Sequence, residues 1–410
     1  MYEYQLTFFA LLFLFNTSTS AQTGKWTKKK SLPDSIRIEA GAFDANGKIY
    51  ILTGRHGSNY FATVWEYTPG KDTWIRKSDF PGGGRRELAC FSIGNKGYVG
   101  TGRDVSGAYK DFYEYDATSD KWTKKKDFGG TVRRDALGFS IGNKGYFGTG
   151  QNPTGTVNYN DLWEYDTSAN TWTQKTSFTA GNIRNAAFGF SIGTKGYVTT
   201  GRNLSSEYND VWEYDQTGNT WSKKNNFGGT VRSEVVGFVI GSKAFIGTGY
   251  DATGNLSDFW MYNPATDSWI PETSFPGGAR QEGVAGSAGG KGYLGFGTIA
   301  SLGAQNDWWE FDPTPPASKD NYEKLNFKLN PNPAQNTIRI SFENTQNKDV
   351  SLYIYDLSGR EVNSKKFSAS IGGYQTFNLD ISGIKNGMYY LKFLSGDICK
   401  IEKLEVVEGP

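Results

Sequence analysis

Six arginines recur at a near-regular interval along the chain: Arg37, Arg85, Arg133, Arg184, Arg232 and Arg280. Two positions after each stand Glu39, Glu87, Asp135, Ala186, Glu234 and Glu282. In an extended strand residues i and i+2 project from one face, so five copies set a guanidinium beside a carboxylate. The fourth, Arg184 beside Ala186, is expected to leave an unpaired cation. Such a set offers two kinds of chemistry. An unpaired guanidinium holds an anion through charge-assisted hydrogen bonds, about 1.5–3 kcal/mol each. Carboxyls beside that clamp, with Glu87, Asp135 and Glu234 as candidates, would move protons as acid and base. A purely structural role competes: an exposed pair contributes about 0–1 kcal/mol, but repeated copies set register between units.

Other chemistries are excluded by composition. The only histidine is His56 and the only cysteines are Cys90 and Cys399. Most zinc, copper, haem and iron–sulfur sites need more ligands than that, so no metal and no cofactor is expected. A disulfide framework is excluded as well. The 44 basic and 42 acidic residues leave +2, which argues against a general nucleic-acid binder.

The elements that must carry the arginines come from an internal repeat. A glycine-ended tract recurs with its last glycine at Gly54, Gly102, Gly150, Gly201, Gly249 and Gly297. An aromatic pair follows each, as in Trp65-Glu66-Tyr67, and five units then reach Trp74, Trp122, Trp172, Trp221 and Trp269. The sixth tryptophan is Trp26, at the opposite end of the repeat region, in the string Lys-Trp-Thr-Lys-Lys-Lys that returns at 121–126. Each unit therefore reads as four short strands, and the N-terminal strand completes the sixth and closes a ring. Lysines on the outer strands discourage edge pairing. Antiparallel order puts the loops from strand 4 to strand 1 on the same side as the loops from strand 2 to strand 3. That side holds the six arginines, with Arg55, Arg103 and Arg202 after three of the glycines and Arg86 and Arg134 beside the ring. Against Asp104 and Glu207, this mouth is expected to be net positive. Tyr109, Tyr159 and Tyr208 in the same loops are expected to serve packing. Asp111, Asp161, Asp210, Asp258 and Asp307 read as turn and strand-start residues.

Glycine tract, aromatic pair and tryptophan in register resemble the kelch repeat, with Thr-Gly where kelch units usually carry Gly-Gly. The resemblance implies an all-β fold with a six-bladed kelch β-propeller over 22–314. It also implies an arginine mouth of the kind that takes acidic peptides or sugar carboxylates. Residues 1–21 read as a secretory signal peptide, with the apolar run Leu6–Phe15 and small Thr19 and Ala21 before the cut. A linker, 315–324, leads to 325–410, where Asn330-Pro331-Asn332-Pro333, Asp356-Leu357-Ser358-Gly359-Arg360 and Gly387-Met388-Tyr389-Tyr390-Leu391 follow in order. That region resembles the sorting domain of type IX secretion cargo of Bacteroidetes, a small immunoglobulin-like β-sandwich. The implied course is export through the periplasm to the cell surface or beyond, handled by that machinery, with no membrane span.

The leading expectation is a binding module for an acidic glycan or peptide, held by the six ring arginines with Arg55, Arg103 and Arg202. The second is a cofactor-free sialic acid mutarotase of the N-acetylneuraminate epimerase type, which the blade count implies by resemblance. A structural or adhesive surface protein is the third. Copper oxidases resembling galactose oxidase need two histidines, and this chain lacks them.

Overall fold

The computed structural model describes residues 24–178, 182–313, 327–344, 349–356, 361–368, 373–395 and 398–407. The leader and the linker lie outside these residues. Two compact units divide after Thr314.

The first unit is a six-bladed β-propeller built of six four-stranded antiparallel sheets. Blade one is Gly41–Ala45, Lys48–Leu52, Val64–Thr68 and Thr73–Lys77, ordered from the channel outward. Blade six is Val284–Ala288, Lys291–Gly295 and Trp308–Asp312, and its outermost strand is Lys25–Lys29 from the N-terminus. In that closing pair Trp26 stands opposite Phe311 and Lys28 opposite Trp309. Trp26 packs within 5.2 Å of Phe259, Phe275 and Phe311 by ring centroid, so blade five is gripped too.

The second strand of each blade is the most apolar, because both its faces are covered by neighbouring sheets. In blade one Ile49, Tyr50, Ile51 and Leu52 are wholly buried. Four junctions between adjacent blades lock through a phenylalanine on one inner strand and a glycine on the next blade. A Cβ on Gly97 would lie 2.3 Å from Phe43, and one on Gly145 would lie 1.9 Å from Phe91. The seam between blades six and one reverses this lock. Gly286 replaces the phenylalanine, Ile49 stands where blades two, three, four and six carry glycine and blade five carries Ala244, and Asp44 enters the gap to accept from the Ser287 amide at 2.8 Å.

The second unit is an immunoglobulin-like sandwich. One sheet joins Lys328–Asn330, Thr337–Asn344 and Gly373–Asp380; the other joins Glu361–Phe367, Val350–Asp356, Gly387–Ser395 and Ile398–Val406. Ile338, Ile340, Leu352, Ile354, Leu391 and Phe393 form its buried core.

Candidate functional site

The six ring arginines are buried, each no more than 1 % exposed. Their partners are not the carboxylates two positions on. Arg85 meets Asp111 at 2.5 and 3.0 Å, and Arg133 meets Asp161 at 2.5 and 2.7 Å. Arg232 holds Asp258 and Arg280 holds Asp307 by the same fork, and Arg37 takes Asp34 at 2.6 Å. Arg184, expected to be free, grips Asp210 at 2.7 and 2.9 Å. Tyr109, Tyr159 and Tyr208 lie over Arg85, Arg133 and Arg184 at 4.0–4.3 Å. The aspartates carry a second load, since Asp161, Asp210, Asp258 and Asp307 also accept the indole N–H two residues later.

The same-face expectation fails for a backbone reason. Glu39, Glu87, Asp135, Ala186, Glu234 and Glu282 all have positive φ, between 49° and 60°. Alternation holds only in extended backbone, and a left-handed residue turns its side chain out of register. The turned amides form a belt around the channel: Glu87 N–H donates to Glu39 O, Asp135 to Glu87, Ala186 to Asp135 and Glu234 to Ala186, at 3.1–3.2 Å. Thr53, Thr101, Thr149, Thr200, Thr248 and Phe296 are left-handed as well, costly for branched or bulky side chains. Each gives its carbonyl to a ring arginine, as Thr149 does to Arg133 at 2.7 Å and Thr200 to Arg184 at 2.8 Å. The arginines thus hold a strained turn in place.

Inside the belt lies a cavity of about 310 Å³, lined by Glu39, Glu87, Asp135, Glu234 and Glu282 with Arg86, Arg134 and Arg202. Ala186 and Ala187 form its wall at blade four. Five carboxylates against three guanidiniums correct the expectation of a net positive mouth. The ring arginines are absent from this lining, and so are Arg103 and His56. Arg55 stands one step outside and donates to Glu39 at 2.7 Å. The proton-transfer candidates Glu87, Asp135 and Glu234 are brought together in this cavity. Arg86 and Arg134, which share its lining, carried only one signal in the sequence, a basic residue directly after a ring arginine.

The guanidiniums are unequally committed. Arg86 bridges Glu39 of blade one and Glu87, and Arg134 bridges Glu87 and Asp135. Arg202 shares the lining with Ala186 of its own blade and reaches Glu234 of blade five at 2.7 Å, staying 40 % exposed. The other oxygen of Glu234, Oε2, is buried without a partner. Burial, reinforced for Glu87 by the charges of Asp135 and Glu39, raises the pKa of Glu87 and of Asp135. Burial pushes Glu234 up to about 7 and raises Glu282. Cys90 is buried on an inner strand, which pushes its thiol up to about 12, so it is an inert thiol at neutral pH.

Residues 328–407 match the secretion system C-terminal sorting domain family. A solved structure titled "Structure of YjhT" is similar over 68 % of this chain and 95 % of its own, with a TM-score of 0.59 and 16 % identity. At that identity the likeness concerns the fold alone. No curated protein matches the sequence. The sorting domain marks the chain as type IX secretion cargo, exported to the cell surface or released. Among the described residues no helix is long and apolar enough to cross a membrane.

Proposed function

We propose that the propeller is of the kelch type and serves as an exported binding module. Its ligand is an acidic sugar or peptide carboxylate, taken into the central cavity rather than by the outer arginine ring. The supporting observation is Arg202, a half-open guanidinium with one carboxylate partner, set beside a wall of alanines. A cavity of about 310 Å³ is at the small end for ligand pockets and suits one sugar ring or one side chain.

Binding an anion there is coupled to protons. A ligand carboxylate on Arg202 displaces the Glu234 oxygen now at 2.7 Å. Glu234, already at about 7, then favours its neutral form and donates through its carboxyl hydrogen. Anion affinity therefore rises as pH falls through 7 and declines above it. The test compares glucuronate and N-acetylneuraminate with glucose and N-acetylglucosamine at pH 6 and pH 8. Preference for the acidic sugars, stronger at the lower pH and lost in Arg202→Ala, is expected. Equal binding of acidic and neutral sugars, unchanged by Arg202→Ala, contradicts the reading.

One observation favours a second reading, a cofactor-free sugar mutarotase. Glu87 and Asp135 share Arg134 at 3.2 Å and both have raised pKa values, so one neutral and one ionised carboxyl coexist near neutrality. Proton NMR of freshly released N-acetylneuraminate checks it. Faster anomer exchange with protein, lost in Glu87→Gln, supports this reading, and an unchanged exchange rate removes it.

A further inference from the structure

Arginine is shared unevenly around the cavity, and the unevenness follows the repeat. In every blade the residue before the belt residue pairs through its backbone with the residue after the blade's final glycine, as Ile38 does with Arg55. Blades one to four place arginine in that pair: Arg55, Arg86 with Arg103, Arg134, and Arg202. Blade five has Ser233 and Tyr250 there, and blade six has Gln281 and Thr298. Both of these blades keep their carboxylates, Glu234 and Glu282. Blade four does the reverse, keeping Arg202 and carrying Ala186 where the others carry a carboxylate. Three successive blades therefore line the cavity with a guanidinium, a carboxylate and a second carboxylate.

The contacts carry the same imbalance. Glu39, Glu87 and Asp135 each meet arginine, and Glu234 draws on Arg202 across the blade junction. Glu282 has a hydroxyl instead, donated by Thr298 at 3.0 Å, and forms no ion pair among the described residues. A plain anion on Arg202 releases Glu234, which leaves the carboxyls of two adjacent blades without a cation, and a proton must come with it. A plain cation is held off by Arg202. A ligand with an ammonium a few bonds from its carboxylate meets both halves at once. Its carboxylate takes the place of Glu234 on Arg202, and its ammonium replaces the guanidinium beside Glu234 and pairs Glu282. Every charge in the partly buried site then has an opposite partner.

We infer that the ligand of this cavity is zwitterionic, an acidic sugar with a free amino group, and that Glu282 with Glu234 forms the ammonium half of the site. The inference rests on the carboxylate-binding reading of Arg202 and names the ligand's second charge. It gives a role to the excess of carboxylates over guanidiniums in the lining.

The test is calorimetric titration of the full chain at pH 7 with three sugars. Muramate and N-acetylmuramate share one carboxylate and differ in whether the amine is free, and glucosamine has the amine alone. Muramate is expected to bind about tenfold or more tighter than either of the others. Glu282→Gln removes the charge that the ammonium meets. Gln281→Arg instead sets a guanidinium next to Glu282, as Arg86 is set next to Glu87. Each variant should bring the affinities for muramate and N-acetylmuramate close together, and misfolding of one leaves the other to decide. Equal wild-type affinity for the two acids, both weakened by Arg202→Ala, overturns the inference and leaves the carboxylate reading standing. A muramate preference kept in full by the variants overturns it as well, as does glucosamine binding as tightly as muramate. No binding of either acid takes down both readings.

Discussion

Arg184 and Arg202 lie eighteen positions apart in one blade and do opposite work. Arg184 is sealed between Asp210, the Thr200 carbonyl and the Tyr208 ring, so its charge is spent on the fold. Removing one partner of a buried pair strands the other. Arg184→Ala is therefore expected to destabilise the propeller by about 3–5 kcal/mol, read from the urea midpoint. Arg202→Ala, whose partner Glu234 can take up a proton in its place, should cost less, about 1–2 kcal/mol, and abolish the preference for acidic sugars. An Arg184→Ala propeller as stable as wild type would return the ring to the list of ligand contacts. The arginines were visible in the sequence but their partners were not. Counting i to i+2 assumes extended backbone, and Glu39, Glu87 and Asp135 are left-handed. A local signal did exist: an aspartate two residues before the tryptophan at 161, 210, 258 and 307.

At the scale of elements, four strands per unit, their order and the closing role of the Trp26 strand were all legible, because a repeat constrains every copy at once. The lock between blades was hidden in single glycines. Gly145 has no room for a methyl, since Phe91 occupies that space at 1.9 Å. Gly145→Ala is expected to cost about 1–3 kcal/mol by overpacking, while Gly142→Ala, at a φ of 57° in open space, costs about 1 kcal/mol from backbone strain alone. Calorimetry of both variants separates the two causes; equal shifts would show that Phe91 simply moves aside. The reversed seam at Gly286 and Asp44 was not legible, since it departs from the repeat at the junction where the ring closes. An unmatched seam distinguishes that junction from the other five, which favours one closed register.

On the scale of the propeller, burial lifts carboxyls well above their usual range in the cavity and at the seam. Burial pushes Asp44 up to about 7, as it does Glu234, against roughly 4 for these groups in the unfolded chain. A folded-state value above the unfolded one stabilises fully below about pH 4, and that contribution is lost as pH rises through 7. The propeller is thus expected to melt at a higher temperature at pH 5 than at pH 8, and Asp44→Asn should flatten that slope. A melting temperature that climbs from pH 5 to pH 8 would show these carboxyls ionised and paired in the fold. The sorting unit acts on another level. Deleting 325–410 is expected to leave the protein in the periplasm, seen by fractionation, and undiminished export would remove the role given to that unit. The central claim, that the cavity takes an anion together with a proton, is tested most directly by titration calorimetry of N-acetylneuraminate near pH 7 in two buffers of different ionisation enthalpy. The account predicts net proton uptake on binding, abolished in Glu234→Gln; binding with no proton exchange, or with proton release, would contradict it.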